Sequence, residues 1–434
     1  MNDRLLRGIG ASDTFLLLAI IFMPLQLAFT IQVGFPLKIS EILILLACAT
    51  RIFSRHYFRG FALDSYAVFT LATGVLFSTF AALFHDTRGL ARYGYNQTLT
   101  VDMLVYSAYG ILMIIAWGMI KNLPRWRIAH ALVWSAYICA AATALQLVLT
   151  MAGLDSVLNF LNYDTDARGT NLFGGTAALN RTGPFADGQQ LGFVSGALLL
   201  ACLRQRKYAA ALASLFCVFI SQSTTAFLGL LFGVGVVAVL RISPRVLAAV
   251  FGLAVLFAVA WSTYSPVRAW VQLQASKLGA SPGTPEAGVG DSLEQRLEKT
   301  RVATEILWDF PGLGVGPGRF GAYYFEYADP SLIPFWYFNQ SHRALVENVY
   351  FHIGAELGII SFIAFIILII LLFFYAVRQG PLDLAFAVFV AFGAATQPTW
   401  HYLPLWVFLA YLSSMRVQAL ASDSAPRNFE ASRV

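Results

Sequence analysis

The chain has 434 residues, 58% of them hydrophobic and 12% charged, with a mean hydropathy of +0.67. A soluble globular protein carries about 25% charged residues, so a soluble enzyme, a nucleic-acid binder and a disordered chain are excluded. The net charge of +6 then reads as a membrane-topology signal and not as a nucleic-acid footprint.

The apolar residues fall in blocks of about 17–25, the length that crosses a hydrocarbon core of ~30 Å. They predict an all-α polytopic integral membrane protein of about twelve transmembrane helices, at 14–31, 38–53, 65–84, 101–120, 128–152, 190–203, 208–222, 224–240, 246–263, 347–376, 382–397 and 403–417. The chain divides into nine helices with an outer segment at 153–189 (residues 1–263), a large outer loop (264–346), and three helices with a tail (347–434). Arg4 and Arg7 precede the first apolar block as in a signal peptide. No small-x-small cleavage site follows and more spans do, so the first span is expected to be retained. Cys48, Cys139, Cys202 and Cys217 all lie inside apolar runs and act as small hydrophobes.

Basic residues orient the helices. With the N-terminus inside, the inner segments hold Arg4 and Arg7; Arg51, Arg55 and Arg59; Lys121, Arg125 and Arg127; Arg204, Arg206 and Lys207; Arg241 and Arg245; Arg378; and Arg416, Arg427 and Arg433, which is 17 of the 29 basic residues. Both termini are therefore expected on the cytoplasmic side, and 153–189 and 264–346 on the outer side.

The large loop opens with the flexible run Gly279–Gly290 and continues as an amphipathic helix, with Leu293, Leu297, Ile306, Leu307 and Phe310 on one side. Asp291 or Ser292 is placed to cap it, and Pro311 ends it. Carboxylates near the membrane are few. Glu41, Asp102 and Glu356 fall near span ends, where a solvated interfacial role is expected. Polar residues concentrate instead in the two outer segments, which suggests a site at the outer membrane surface.

Four clusters stand out there. Asn180-Arg181-Thr-Gly-Pro-Phe-Ala-Asp-Gly-Gln-Gln190 opens the sixth span, and an arginine held by a Gly-Pro turn can grip phosphate bidentately or bind lipid headgroups. Arg296 and Arg301 sit five apart on the loop helix and do not share a face. One is expected in the site, the other paired with a neighbour such as Glu298 or Glu305. Pro311–Phe320 contains four glycines that permit close backbone approach, followed by Arg319; it lacks the Gly-Lys-Ser/Thr of a nucleotide loop. Ser341-His-Arg-Ala-Leu-Val-Glu-Asn-Val-Tyr350 leads into the tenth span. There Glu347 or His342 can serve as a general base, and Glu347 and Tyr350, three apart, share a helical face. The aromatics Tyr323, Tyr324, Phe335, Trp336 and Tyr337 suit sugar stacking or an interfacial belt.

In this order and on this topology, the clusters resemble the O-antigen ligase/polymerase family of bacterial envelope proteins. The resemblance is carried by Arg181-Thr-Gly-Pro-Phe185, by Arg296 some fifteen residues before Pro311 and Gly314-Val-Gly316, and by Glu347-Asn-Val-Tyr-Phe-His-Ile-Gly-Ala-Glu-Leu-Gly-Ile359. It implies a glycosyltransferase of the inner membrane, facing the periplasm, that acts without a metal or other cofactor on undecaprenyl-diphosphate-linked glycans. Arg181 and Arg296 would then hold the donor diphosphate, Glu347 or His342 would act as base, and Arg301, Arg319, Arg343, Asn348 and Tyr350 would support substrate binding. Ligases carry a histidine where this chain has Glu347, and His342 lies five residues earlier. That difference favours a polymerase of surface polysaccharide over a ligase acting on lipid A-core. Arg181 with Gly192, and Arg301 with Gly312, match the arginine–glycine spacing described for polymerases, which keeps Arg301 as a competitor of Arg296. A chain-length regulator is the protein partner such a polymerase implies. A flippase for lipid-linked glycan is the non-enzymatic alternative, and it would line its spans with polar residues.

Overall fold

The computed structural model describes residues 10–32, 36–53, 63–85, 99–164, 168–169, 179–240, 272, 291–333 and 344–415. The expected span at 246–263, the run Gly279–Gly290, His342 and Arg343 lie outside the described residues. Helices form the body: α1 Ala11–Phe22, α2 Ile39–Phe53, α3 Leu63–Leu83, α4 Leu99–Ile120, α5 Arg125–Met151, α6 Asp155–Phe160, α7 Gly188–Arg204, α8 Tyr208–Ser221, α9 Thr224–Leu240, α10 Asp291–Asp309, α11 Phe320–Tyr327, α12 Val349–Gln379, α13 Pro381–Ala394 and α14 Leu403–Ser413. Strand among the described residues is confined to two antiparallel two-residue pairs, Ile31–Gln32 with Pro36–Leu37 and Arg168–Gly169 with Leu179–Asn180.

α3, α4, α5 and α12 are long and apolar enough to cross a membrane, and α1, α8, α13 and α14 are apolar but shorter. The chain is thus a helical, multi-pass membrane protein. α7 and α14 sit innermost. Every residue from Leu191 to Leu198 is buried, as is every residue of α14. Small residues let the helices close up: a Cβ on Gly196 would fall 2.3 Å from the Phe389 ring of α13.

The first span is shorter than expected. α1 stops at Phe22, just ahead of Pro24, whose ring cannot continue a helix. The following segment folds back against the turn at Gly183-Pro184, with Gln26 N and Leu27 N donating to Pro184 O at 3.2 and 2.9 Å.

α12 is broken. Gly358 has φ 81 and ψ 177 inside what otherwise runs as one helix. Residues 311–316, which follow α10, fill the break: Ile359 N donates to Pro311 O (2.9 Å), Val315 N to Ala355 O (2.9 Å) and Gly316 N to Glu356 O (3.0 Å). Kinks with this cause re-satisfy the freed backbone groups from a neighbour. Gly314 lies so close that a Cβ there would stand 2.4 Å from the Glu356 carbonyl carbon. The loop is thereby anchored in α12, and α10 lies along the first turns of that helix.

At the opposite end of the bundle Asp383, buried at the start of α13, accepts from Arg125 Nη2 of α5 at 2.6 Å and from Arg204 Nε of α7 at 2.9 Å. Lys121 at the end of α4 pairs with Asp64 at the start of α3 (3.6 Å).

Candidate active site

A cavity of about 680 Å³ opens where α7, α9 and α12 begin and α8 and α13 end. Its wall brings together Arg181, Asp187, Gln189 and Gln190 ahead of and within α7, Gln222–Thr225 between α8 and α9, Arg296, Lys299 and Thr300 of α10, Glu347 and Asn348 before α12, and Thr396 after α13. Leu228, Leu297, Leu345 and Phe392 supply an apolar side.

Local structure explains each placement. Arg181 rides on a turn whose Gly183 has φ 56. Gln146 of α5 holds that turn from below, accepting from Gly183 N (2.7 Å) and donating to Thr182 Oγ1 (2.9 Å). Asp187 caps α7, its Oδ1 accepting from Gln190 N at 2.7 Å. Asn348 caps α12, its Oδ1 accepting from Tyr350 N at 3.2 Å. Glu347 therefore precedes the cap and is not in the first helical turn, as the sequence pattern suggested. Its φ of 55 is left-handed, a costly state for a non-glycine residue that recurs at functional sites.

Charge is dense here. Arg296 Nε and Lys299 Nζ each lie 2.7 Å from a different carboxylate oxygen of Glu347. Arg296 Nη2 also donates to Gln189 Oε1 (2.8 Å), and Gln189 Nε2 donates to Thr396 O. A chain of contacts thus joins α13, α7, α10 and the start of α12. Among the described residues, Arg181 Nε is buried without a hydrogen-bond partner. Burial lowers the Arg181 pKa and the nearby Arg296 lowers it further, against the pull of Asp187 and Asp164. Burial raises the Glu347 carboxyl, but Lys299 and Arg296 outweigh it, and the group titrates below the ordinary carboxylate range. Asp187 goes the other way: burial, reinforced by Glu347, raises it despite the Gln190 N–H bond and Arg181. Two carboxyls with opposite shifts stand in one cavity, the pattern that separates acid and base roles.

Of the residues singled out in the sequence, Arg181, Arg296, Glu347 and Asn348 line this cavity. Arg301 points elsewhere, its Nη2 and Nε bonding Glu298 at 2.5 and 2.7 Å, with further bonds to Glu305 and Tyr327 O. Arg319 is buried and donates to Ala82 O at the end of α3 (2.6 Å). Tyr350 donates its hydroxyl to Ala391 O (2.9 Å) and packs its ring on Phe365. Tyr323 and Tyr324 are buried packing residues of α11, neither a stacking platform nor a belt.

The solvated role expected for Glu41, Asp102 and Glu356 does not hold, since all three are buried. Glu356 accepts from Trp400 Nε1 (3.0 Å), faces His352 Nε2 (3.1 Å) and ties α12 to the α13–α14 connection. Lys299 and Asp187 were missed. Lys299 stands three residues from Arg296, a same-face spacing, and Asp187 directly precedes a helix start. Among the described residues no group of three or more His, Cys, Asp or Glu is gathered for a metal ion.

Three cations (Arg181, Arg296 and Lys299) and two carboxylates (Asp187 and Glu347) thus converge on one cavity at one end of the helical bundle. Residues 209–366 match the family described as O-antigen ligase. That match supports the resemblance to the O-antigen ligase/polymerase family drawn from the sequence, a family whose members are membrane glycosyltransferase-like enzymes. It contains Arg296, Lys299, Glu347 and Asn348, whereas Arg181 and Asp187 precede it and join the site through the fold. No curated protein matches the chain at a significant level.

Proposed function

We propose that this protein polymerises undecaprenyl-diphosphate-linked repeat units into a surface polysaccharide, at the periplasmic face of the inner membrane. The observation that carries this reading is the convergence of Arg181, Arg296 and Glu347 on one cavity. Arg181 and Arg296 grip the donor diphosphate. The acceptor hydroxyl of an incoming lipid-linked repeat attacks the anomeric carbon of the donor chain. The new O–C bond forms as the bond from that carbon to the phosphate oxygen breaks, and the electron pair leaves on the diphosphate. Two guanidinium groups aimed at that developing charge lower the barrier. Glu347 takes the acceptor's proton; His342, in the adjoining segment, is the other candidate base. Gln189, Gln190, Gln222 and the hydroxyls of Ser223–Thr225 offer the neutral hydrogen-bonding wall a glycan needs. A cavity of this size lies within the ~300–1,000 Å³ range of small-ligand sites.

Glu347 in place of the ligase histidine supports chain extension over transfer to lipid A-core. The ligase reading keeps the support of the family description. A flippase fits less well, because the polar cavity lies at one end of the bundle, where α7, α9 and α12 begin. Deleting the gene and analysing lipid-linked glycans separates the readings. For a polymerase, single repeats accumulate on the carrier and long chains vanish; for a ligase, long chains persist on the carrier. In the polymerase case Arg181→Ala, expressed at wild-type level, abolishes polymer. A fully active Arg181→Ala protein would remove Arg181 from the site.

A further inference from the structure

The cavity already holds an anion of its own. The two carboxylate oxygens of Glu347 are divided between Arg296 Nε and Lys299 Nζ, each at 2.7 Å. Lys299 is buried, so its charge is directed inward. Arg181 faces the same space with a buried, unpartnered Nε. Two cations are thus occupied by an internal carboxylate, and a third stands beside them. A carboxylate and a phosphate edge present the same pair of acceptor oxygens to such donors. The left-handed backbone at Glu347 shows that the chain accepts a strained state to put the carboxylate there.

We propose that Glu347 is a place-holder: in the empty protein its carboxylate occupies the position on Arg296 and Lys299 that a donor diphosphate takes, and the diphosphate displaces it. The inference rests on the reading of this cavity as a diphosphate site and adds Lys299 as its third cation. It also gives the reaction an order. While Arg296 and Lys299 hold Glu347, the carboxylate is a poor proton acceptor. Once a diphosphate has taken both cations, Glu347 stands beside new negative charge, with Asp187 across the cavity and Arg181 committed to phosphate. Each of these changes raises its proton affinity. The base is armed by the donor, so the donor binds before the acceptor is deprotonated.

The test is binding of inorganic pyrophosphate to the full-length protein in detergent, measured by titration calorimetry. Coupling of this kind is worth about 5–150-fold, and Glu347→Gln is expected to bind pyrophosphate about tenfold more tightly than wild type. Glu347→Asp, whose shorter side chain cannot span both cations, also binds more tightly. Lys299→Met weakens binding, in the wild-type and in the Glu347→Gln background alike. A purely structural ion pair predicts the reverse, because loosening α10 would weaken binding. If Glu347→Gln elutes as an aggregate, Glu347→Asp decides. Unchanged or weaker binding in the Glu347 variants, with binding lost in Arg181→Ala and Arg296→Ala, overturns the place-holder and leaves the diphosphate site standing. Pyrophosphate binding that ignores Arg181 and Arg296, or is absent throughout, overturns the diphosphate site itself.

Discussion

Arg296 and Arg301 are chemically alike and five positions apart, yet they have opposite surroundings. Arg296 ends at Glu347 and Gln189 in the cavity, whereas Arg301 neutralises Glu298, a buried carboxylate that also accepts from Asp329 N at 2.8 Å. The pair with Arg301 holds Glu298 below the ordinary carboxylate range. Removing Arg301 leaves that carboxylate short of its strongest partner, a loss of about 1–3 kcal/mol. Arg301→Ala is therefore expected to lower the melting temperature while polymer is still made at permissive temperature. Arg296→Ala is expected to melt near wild type and make none. Thermal melts alongside polysaccharide gels of the two variants check this, and the reverse pattern would exchange their roles. The sequence reading expected the two arginines to part, because a helix turns five residues onto different faces, and Arg301 does pair with Glu298 and Glu305 while Arg296 lines the cavity. It did not find Lys299. Counting only apolar positions set Leu297 inward, whereas Leu297 is exposed and the buried face begins with Glu298 and Lys299. A paired charge is invisible to hydrophobic periodicity.

At the scale of elements, the break in α12 is what places the cavity's wall. The sequence reading gave a single span at 347–376, and a continuous helix was the natural expectation. The break arises from backbone groups of residues 311–316, more than forty positions away, and no local pattern reports such a partner. The glycines of that segment were legible as sites of close approach, but not the helix they approach. The contact is reciprocal: a Cβ on Gly358 would fall 2.4 Å from Gly312 O, and the φ of 81 already excludes ordinary side chains. Strain of this kind costs about 1–3 kcal/mol before any clash, so Gly358→Ala is expected to destabilise by at least that much and to abolish polymer by shifting α10 away from Glu347. Gly312→Ala is the control, since a Cβ there meets nothing within 4 Å. Equal melting temperatures for the two variants would mean that the loop does not depend on the break.

For the whole molecule, the sequence predicted two sides from charge alone, and the helix ends sort in the same way. Arg181, Asp187, Arg296, Lys299 and Glu347 gather at one end, while Lys121, Arg125, Arg204 and Asp383 gather at the other. A positive-inside arrangement puts the second group in the cytoplasm and the cavity outside. The proposed function requires that orientation, because only the outer face meets a lipid-linked glycan after export. It can be read by labelling single cysteines with a membrane-impermeant maleimide. Cys139, Cys202 and Cys217 are buried and Cys48 is half-buried, so a Cys48→Ser background is expected to be quiet. Ala186 and Lys207 are both exposed, the first at the cavity and the second between α7 and α8. Ala186→Cys should react in intact spheroplasts, and Lys207→Cys only after the membrane is opened. The converse labelling would turn the cavity toward the cytoplasm. The same three cations would then face lipid-linked intermediates before export, and a polymerase acting on exported repeats would have to be abandoned even if every distance in the site were correct.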